Sequence, residues 1–262
     1  MLRSRNCISS NKLKLSIITV ALNSSEYIED CTKSVVGQDY NDFEYIVIDG
    51  GSTDGTVQII EEYSDEISKW VSEPDQGIYD AMNKGIGMAS GDVIGILNSD
   101  DMYANQHVLE KVAAVFADGQ SESCYGDLIY VDAKNADIVR RVWRSDPYNV
   151  HRFYQGWMPP HPTFFVRRKV YEQYGCFNLD LGTAADYELM LRFLVKYKIT
   201  ASYIPEVLVK MRMGGQSNAS LLSRLAANRM DRDAWKVNDI KPYPWTLFFK
   251  PLSKIGQYFA KK

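Results

Sequence analysis

Three apolar runs, each stopping at a cluster of Asn, Ser, Gly and Asp, constrain this chain more than any other feature. Residues 13–20 (LKLSIITV), 43–48 (FEYIVI) and 93–97 (VIGIL) are short and rich in β-branched side chains, the pattern of strands buried on both faces. After Asn23-Ser24-Ser25, the residues Ile28, Val35 and Val36 share one helical face. Residues 56–63 start a second helix. Residues 78–88 form a third, with Tyr79, Met82 and Ile86 on one side, and Trp70-Val71 predicts a short strand between the two. Strands alternating with helices imply an α/β fold with a mostly parallel central sheet and helices on both faces. Ligands of such sheets bind outside the carboxyl ends of the strands. The clusters at 22–24, 49–54 and 98–101 all fall at such ends, so a single crevice is expected to receive them.

Beyond residue 120 the pattern loosens. Residues 123–131 predict a strand, 169–174 a short helix, 187–197 a longer one and 203–211 an extended segment. From about Ala219 the chain is helical in character until Pro242 and Pro244 break it. With 262 residues, 45% of them hydrophobic, the core needs no disulfide or structural metal. The four cysteines stand far apart and lack zinc-ligand spacing, which fits a reduced, cytoplasmic compartment. A net charge of −3 offers no electrostatic case for nucleic acid. No run approaches the ~18 apolar residues of a membrane-spanning helix. Neither G-x-G-x-x-G nor G-x-x-x-x-G-K-[ST] occurs, which disfavours ordinary dinucleotide and P-loop ligands.

Asn98-Ser99-Asp100-Asp101 crowds carboxylates at a strand end. A divalent cation relieves that repulsion, and Mg²⁺ or Mn²⁺ takes oxygen ligands together with substrate phosphates. The competing reading is an N-cap for a helix near residues 105–116. Asp49, with Ser52 and Asp54, either accepts from a ribose hydroxyl or base N–H, or belongs to a Gly-rich turn that caps the next helix. The polar stretch 73–85 reads as solvated surface or as a ligand contact. Asp186 opens an amphipathic helix, as a cap or as a general base. His107 reads as surface. His151 and His161 bracket a stiff loop, whose Trp157 stacks on a sugar ring or lies buried.

Residues 16–23 (SIITVALN), 48–56 (IDGGSTDGT) and 97–101 (LNSDD), in this order and at these distances, resemble the family 2 glycosyltransferases of the GT-A fold, most closely the bacterial members that build O-antigen and other surface polysaccharides. The resemblance spans about residues 13–215 and leaves 216–262 as a C-terminal helical tail. It implies a nucleotide-sugar site formed by Ala21, Asn23, Asp49, Ser52, Asp75, Asn83, Lys84, Asn98 and Ser99. It puts the D-x-D position at Asn98-x-Asp100, the base at Asp186, and a late glycine-rich loop at residues 214–217. Many relatives carry Asp where Asn98 stands. An amide is a weaker ligand for a hard cation, so Asp100 is expected to carry most of the metal contact, with Asp101 in support. No Gln-x-x-Arg-Trp pattern is present, so a single-addition enzyme is implied. The expected reaction is inverting, Mn²⁺- or Mg²⁺-dependent transfer of a hexose from a UDP-sugar to a lipid-linked oligosaccharide. The rivals are a nucleotidyltransferase and a carbohydrate- or nucleotide-binding module without turnover. The tail from Lys241 alternates aromatic residues with lysines, which suits peripheral contact with the cytoplasmic face of the inner membrane.

Overall fold

The computed structural model describes residues 13–214 and 230–246. The chain runs through β1 (Leu15–Ala21), α1 (Ile28–Val36), β2 (Phe43–Asp49), α2 (Thr56–Glu62), β3 (Lys69–Ser72), α3 (Ile78–Met88) and β4 (Val93–Asn98). It continues through β5 (Asp101–Tyr103), α4 (Val108–Phe116), β6 (Ser123–Val131), β7 (Val139–Trp143), α5 (Val150–Tyr154), β8 (Phe165–Arg167), α6 (Arg168–Tyr174), α7 (Ala185–Met190) and β9 (Ala201–Arg212). These strands form one sheet in the order β3-β2-β1-β4-β8-β6-β9-β5, with β7 paired to β6. Strands β3, β2, β1 and β4 are parallel, as the strand–helix alternation predicts. The far half is mixed: β8 runs antiparallel to β4 and to β6, while β6 and β9 are parallel.

Every residue of β1 is buried, which explains its unbroken apolar run. Its register sets Ala21 beside Asp49 and Val20 beside Asn98. The three polar clusters therefore leave the sheet at one level. Only Ser99 and Asp100 separate β4 from β5, yet β5 pairs with β9 at the other end of the strand path. The sheet curls until that end returns to the carboxyl end of β4.

Helix α3 buries Ala81, Met82, Gly85 and Ile86. Gly85 is the point of closest approach: a Cβ there would lie 2.4 Å from Cγ2 of Ile18. The helix expected over 187–197 starts earlier, at Ala185, and widens to π geometry over Leu191–Lys196. Residues 230–237 are helical, and Trp235 enters the same core as Tyr187. Trp235 Nε1 donates to the Tyr187 hydroxyl at 3.0 Å, and Asn238 Nδ2 donates to Glu188 Oε1 at 2.9 Å. Among the described residues no helix is long and apolar enough to cross a membrane.

At the amino ends of the strands sits a buried carboxylate, Glu44. It accepts from Ser16 Oγ at 2.6 Å, from the Ser90 backbone N–H at 2.5 Å and from Lys14 Nζ at 3.1 Å. Burial pushes its pKa up, but the bonds from Ser16, Ser90 and Lys14 outweigh burial and hold it at about 2. A carboxyl whose folded pKa lies below its unfolded value of 4.5 stabilises the fold above that value and loses the contribution as pH falls toward 2. Glu44→Gln is therefore expected to cost about 2 kcal/mol at neutral pH. Its urea midpoint should also fall less steeply than the wild type's between these two pH values. Parallel pH profiles would remove Glu44 from the acid response.

Candidate active site

The loops after β1, β2 and β4 are stitched together by their own polar groups. The Asn23 backbone N–H donates to Ser52 Oγ at 2.7 Å, and Asn23 Oδ1 accepts from the Thr53 N–H at 3.0 Å. Asn23 does this from a left-handed conformation with φ of 49°, which Asn adopts more readily than most residues. Ser24 Oγ and Ser99 Oγ share a hydrogen bond of 2.7 Å that joins the β1 loop to the β4 loop. Asp54 accepts from the Ser25 and Thr56 N–H groups, each at 3.0 Å, tying the first loop to α2.

Asp49 is fully buried and organises its turn. Its Oδ2 accepts from the N–H groups of Gly51 and Ser52, at 3.1 and 2.9 Å, and from Ser72 Oγ at 2.6 Å. The Asp75 carboxylate lies over this turn, since a Cβ on Gly50 would sit 2.5 Å from Asp75 Oδ2. Lys84 pairs with Glu73 at 2.9 Å and Asp80 at 3.7 Å. Both polar atoms of the Asn83 amide bond the Phe177 backbone at 2.9 Å, which ties α3 to the segment leading to Asp186.

The acid cluster does not cap a helix. Asp101 lies in β5, and α4 begins only at Val108, behind His107. Asp101 is fully buried, and Oδ1 of Asp101 and Oδ1 of Asn98 have no hydrogen-bond partner. Burial, reinforced by the charge of Asp100, pushes the Asp101 carboxyl well above the ordinary range. Burial raises Asp100 too, while Arg212 and His161 pull it down. The Arg212 guanidinium is buried beside these acids and pairs with Asp30. Orphaned oxygen ligands beside raised carboxyls are the donor set a hard divalent cation relieves. Among the described residues no three His, Cys, Asp or Glu side chains converge on one point. A cation here would thus take Asp100 and Asp101 and complete its shell from a bound diphosphate.

Asp186 lies in the first turn of α7 and is not its N-cap, which is Ala184. Its Oδ1 accepts from the Tyr187 N–H at 2.7 Å, and its Oδ2 lies 3.3 Å from His161 Nδ1. The Tyr79 hydroxyl is close by: burial first, then the Asp186 charge, push its pKa up. His161 and Tyr79 carry no signal in the sequence that ties them to Asp186, since they come from three unconnected stretches. The Arg212 contact with the acid cluster is equally silent, because it depends on β5 pairing with β9. Of the late loop expected at 214–217, residues 215–217 lie outside the described residues.

Residues 16–175 match the family described as Glycosyl transferase family 2. An uncharacterised glycosyltransferase of Mycobacterium tuberculosis is 35% identical over 185 residues, covering 68% of each chain. The fold is similar to that of S. aureus TarS residues 1–349 in complex with UDP-GlcNAc, with a TM-score of 0.66 at 20% identity, over 90% of this chain and 69% of that one. It is also similar to a mannosyltransferase of Pyrobaculum calidifontis in complex with GDP-Man and Mn²⁺, with a TM-score of 0.65 at 16% identity, over 96% of this chain and 76% of that one.

Asp101 Oδ2 accepts a long bond of 3.5 Å from Asn98 Nδ2, and a buried carboxylate whose other oxygen is unmet destabilises the fold that holds it. Asp101→Asn is expected to stabilise the chain against urea in chelator, by about 1 kcal/mol, and to reduce any stabilisation gained on adding Mn²⁺ with UDP. A variant less stable than wild type in chelator would show that Asp101 is a structural acid.

Proposed function

We propose, from the premise that the chain belongs to glycosyl transferase family 2, that it inverts the anomeric centre of a UDP-hexose while transferring the sugar to a hydroxyl of a lipid-linked saccharide in surface polysaccharide synthesis. The observation that carries this reading is the pair of orphaned oxygens on Asn98 and Asp101 at the carboxyl end of β4. They lie at the level of the β1 and β2 loops, whose Ala21, Asn23, Asp49 and Ser52 would line the nucleoside pocket. Asp75, Asn83, Lys84 and Ser99 would contribute to the nucleotide-sugar site, with Asn98 toward the ribose or donor sugar. A divalent cation held by Asp100 and Asp101 would offset the charge growing on the departing diphosphate. Asp186 accepts the proton of the acceptor hydroxyl as the new bond forms. Donors bound by the two structural relatives support a nucleoside-diphosphate sugar.

Release of UDP from UDP-glucose, UDP-galactose and their N-acetyl forms tests the donor class. Asp186→Asn is expected to keep UDP binding and to lower turnover 10²- to 10⁴-fold. Asp100→Ala should weaken UDP binding only when Mn²⁺ or Mg²⁺ is present, and Asp49→Ala should weaken it with or without metal. Near-normal turnover of Asp186→Asn would remove it as the base. Wild-type activity unchanged by chelator would remove the metal.

A lipid-linked acceptor makes a peripheral position on the cytoplasmic face of the membrane useful. Tyr243 and Trp245 support this: their rings lie 5.3 Å apart and are 45% and 50% exposed. Aromatic residues beside lysines suit the headgroup region. The basic and aromatic residues from position 247 onward lie outside the described residues. Thr246 Oγ1 donates to the Tyr154 carbonyl at 2.6 Å, so a cut after Thr246 keeps that bond. The shortened chain is expected to lose co-sedimentation with anionic liposomes at low salt while binding UDP normally. Equal sedimentation of the two chains would exclude the tail as the contact.

A further inference from the structure

Asp186 stands in the first turn of a helix that runs on into π geometry at Leu191, and that helix is entered through a 3₁₀ turn at Leu179–Ala184 in which Gly182 takes φ of 45°. A carboxylate at the entry of a helix, beside so irregular a turn, needs partners from elsewhere to keep one orientation. The structure supplies two. His161 Nδ1 approaches Oδ2 to 3.3 Å, and Tyr79 lies close enough that, after burial, the Asp186 charge pushes its hydroxyl pKa up.

Both partners are themselves braced. His161 lies between Pro160 and Pro162 and opens a 3₁₀ turn, His161–Thr163. Thr163 is fully buried, and its Oγ1 donates to the Gly126 carbonyl at 3.1 Å, pinning that turn to β6. The Tyr79 ring packs on Phe177 at 5.3 Å, and the Phe177 backbone is held by Asn83. Such support behind a reacting group is what keeps it within productive geometry.

We infer that His161 and Tyr79 are positioning residues that clamp the Asp186 carboxylate toward the acceptor hydroxyl. The inference rests on the reading of Asp186 as the base. His161 donates through Nδ1–H, so a proton must stay on that nitrogen. Tyr79 donates through its hydroxyl. Each carboxylate oxygen has two lone pairs, so the clamp leaves one free to receive the acceptor proton. The charge of a protonated imidazole would also pull the Asp100 carboxyl down.

Two measurements test the clamp, and one of them needs no substrate. The chain has three histidines, so ¹⁵N spectra of the imidazoles can be assigned to His161 by the signals lost in His161→Asn. The expected spectrum shows Nδ1 protonated, and Asp186→Ala should shift that signal. An Nε2–H tautomer, or a spectrum indifferent to Asp186→Ala, would overturn the pairing. The second measurement is hydrolysis of UDP-N-acetylglucosamine by the full chain. Misplacing a reacting group by about 1 Å costs on the order of 10²-fold. His161→Ala should therefore lower kcat about 10- to 100-fold while moving the donor KM less than about threefold. His161→Asn, whose amide N–H lies near the position of Nδ1, should recover most of the loss, whereas the longer His161→Gln should not. Tyr79→Phe should also lower kcat, and its effect should not add to that of His161→Ala. Full kcat in His161→Ala, or a loss that Asn cannot rescue, would overturn the positioning role. Normal turnover in Asp186→Asn would instead sink the base assignment, while the spectral coupling would still stand.

Discussion

Parallel pairing of β1 with β2 on one side and β4 on the other brings Ala21 level with Asp49 and Val20 level with Asn98. A slip of one residue in either pairing would turn every buried side chain of that strand to the opposite face, which two fully packed faces forbid. The apolar runs thus do more than fill a core. They lock the heights at which three loops emerge, and the loops then need only short bonds, such as Ser24 to Ser99, to become one wall. Gly85 serves the same end from the helical side, because α3 could not approach β1 and β2 so closely with a side chain there.

Two buried carboxylates at opposite ends of one sheet stand in opposite surroundings. Glu44, at the amino ends of the strands, is met by a hydroxyl, an amide and an ammonium group, and its pKa is held low. Asp101, at the carboxyl ends, leaves Oδ1 without a partner, and its pKa is driven up. Folding alone gives no reason to retain the second arrangement, since an amide or apolar side chain would be less costly to bury. An oxygen the protein leaves unsatisfied is a place for something else to bind.

The strands β1, β2 and β4 are legible in the sequence because continuous β-branched runs have few alternative fates. The carboxyl-end crevice follows from their alternation with helices. Strands β5 and β8 are three residues long, too short for a periodic signal, and their pairing depends on the curl of the sheet. That is why Asp101 can be read from the sequence as a helix cap when it is a strand residue. The partners of Asp186 are hidden for a similar reason: Tyr79, His161 and Asp186 meet only through packing of α3, the 3₁₀ turn and α7. Sequence order names the acids; tertiary contacts decide which of them have company.

The bonds from Trp235 to Tyr187 and from Asn238 to Glu188 also bear on the timing of synthesis. The ribosome makes α7 well before the segment that covers it. During that interval the sheet and its loops can form, but the indole that fills the space behind Tyr187 and the amide that meets Glu188 have not yet emerged. The helix carrying Asp186 is thus among the last parts of the molecule to set. A nascent chain therefore has the loops after β1, β2 and β4 in hand before it has the residues that brace the Asp186 helix.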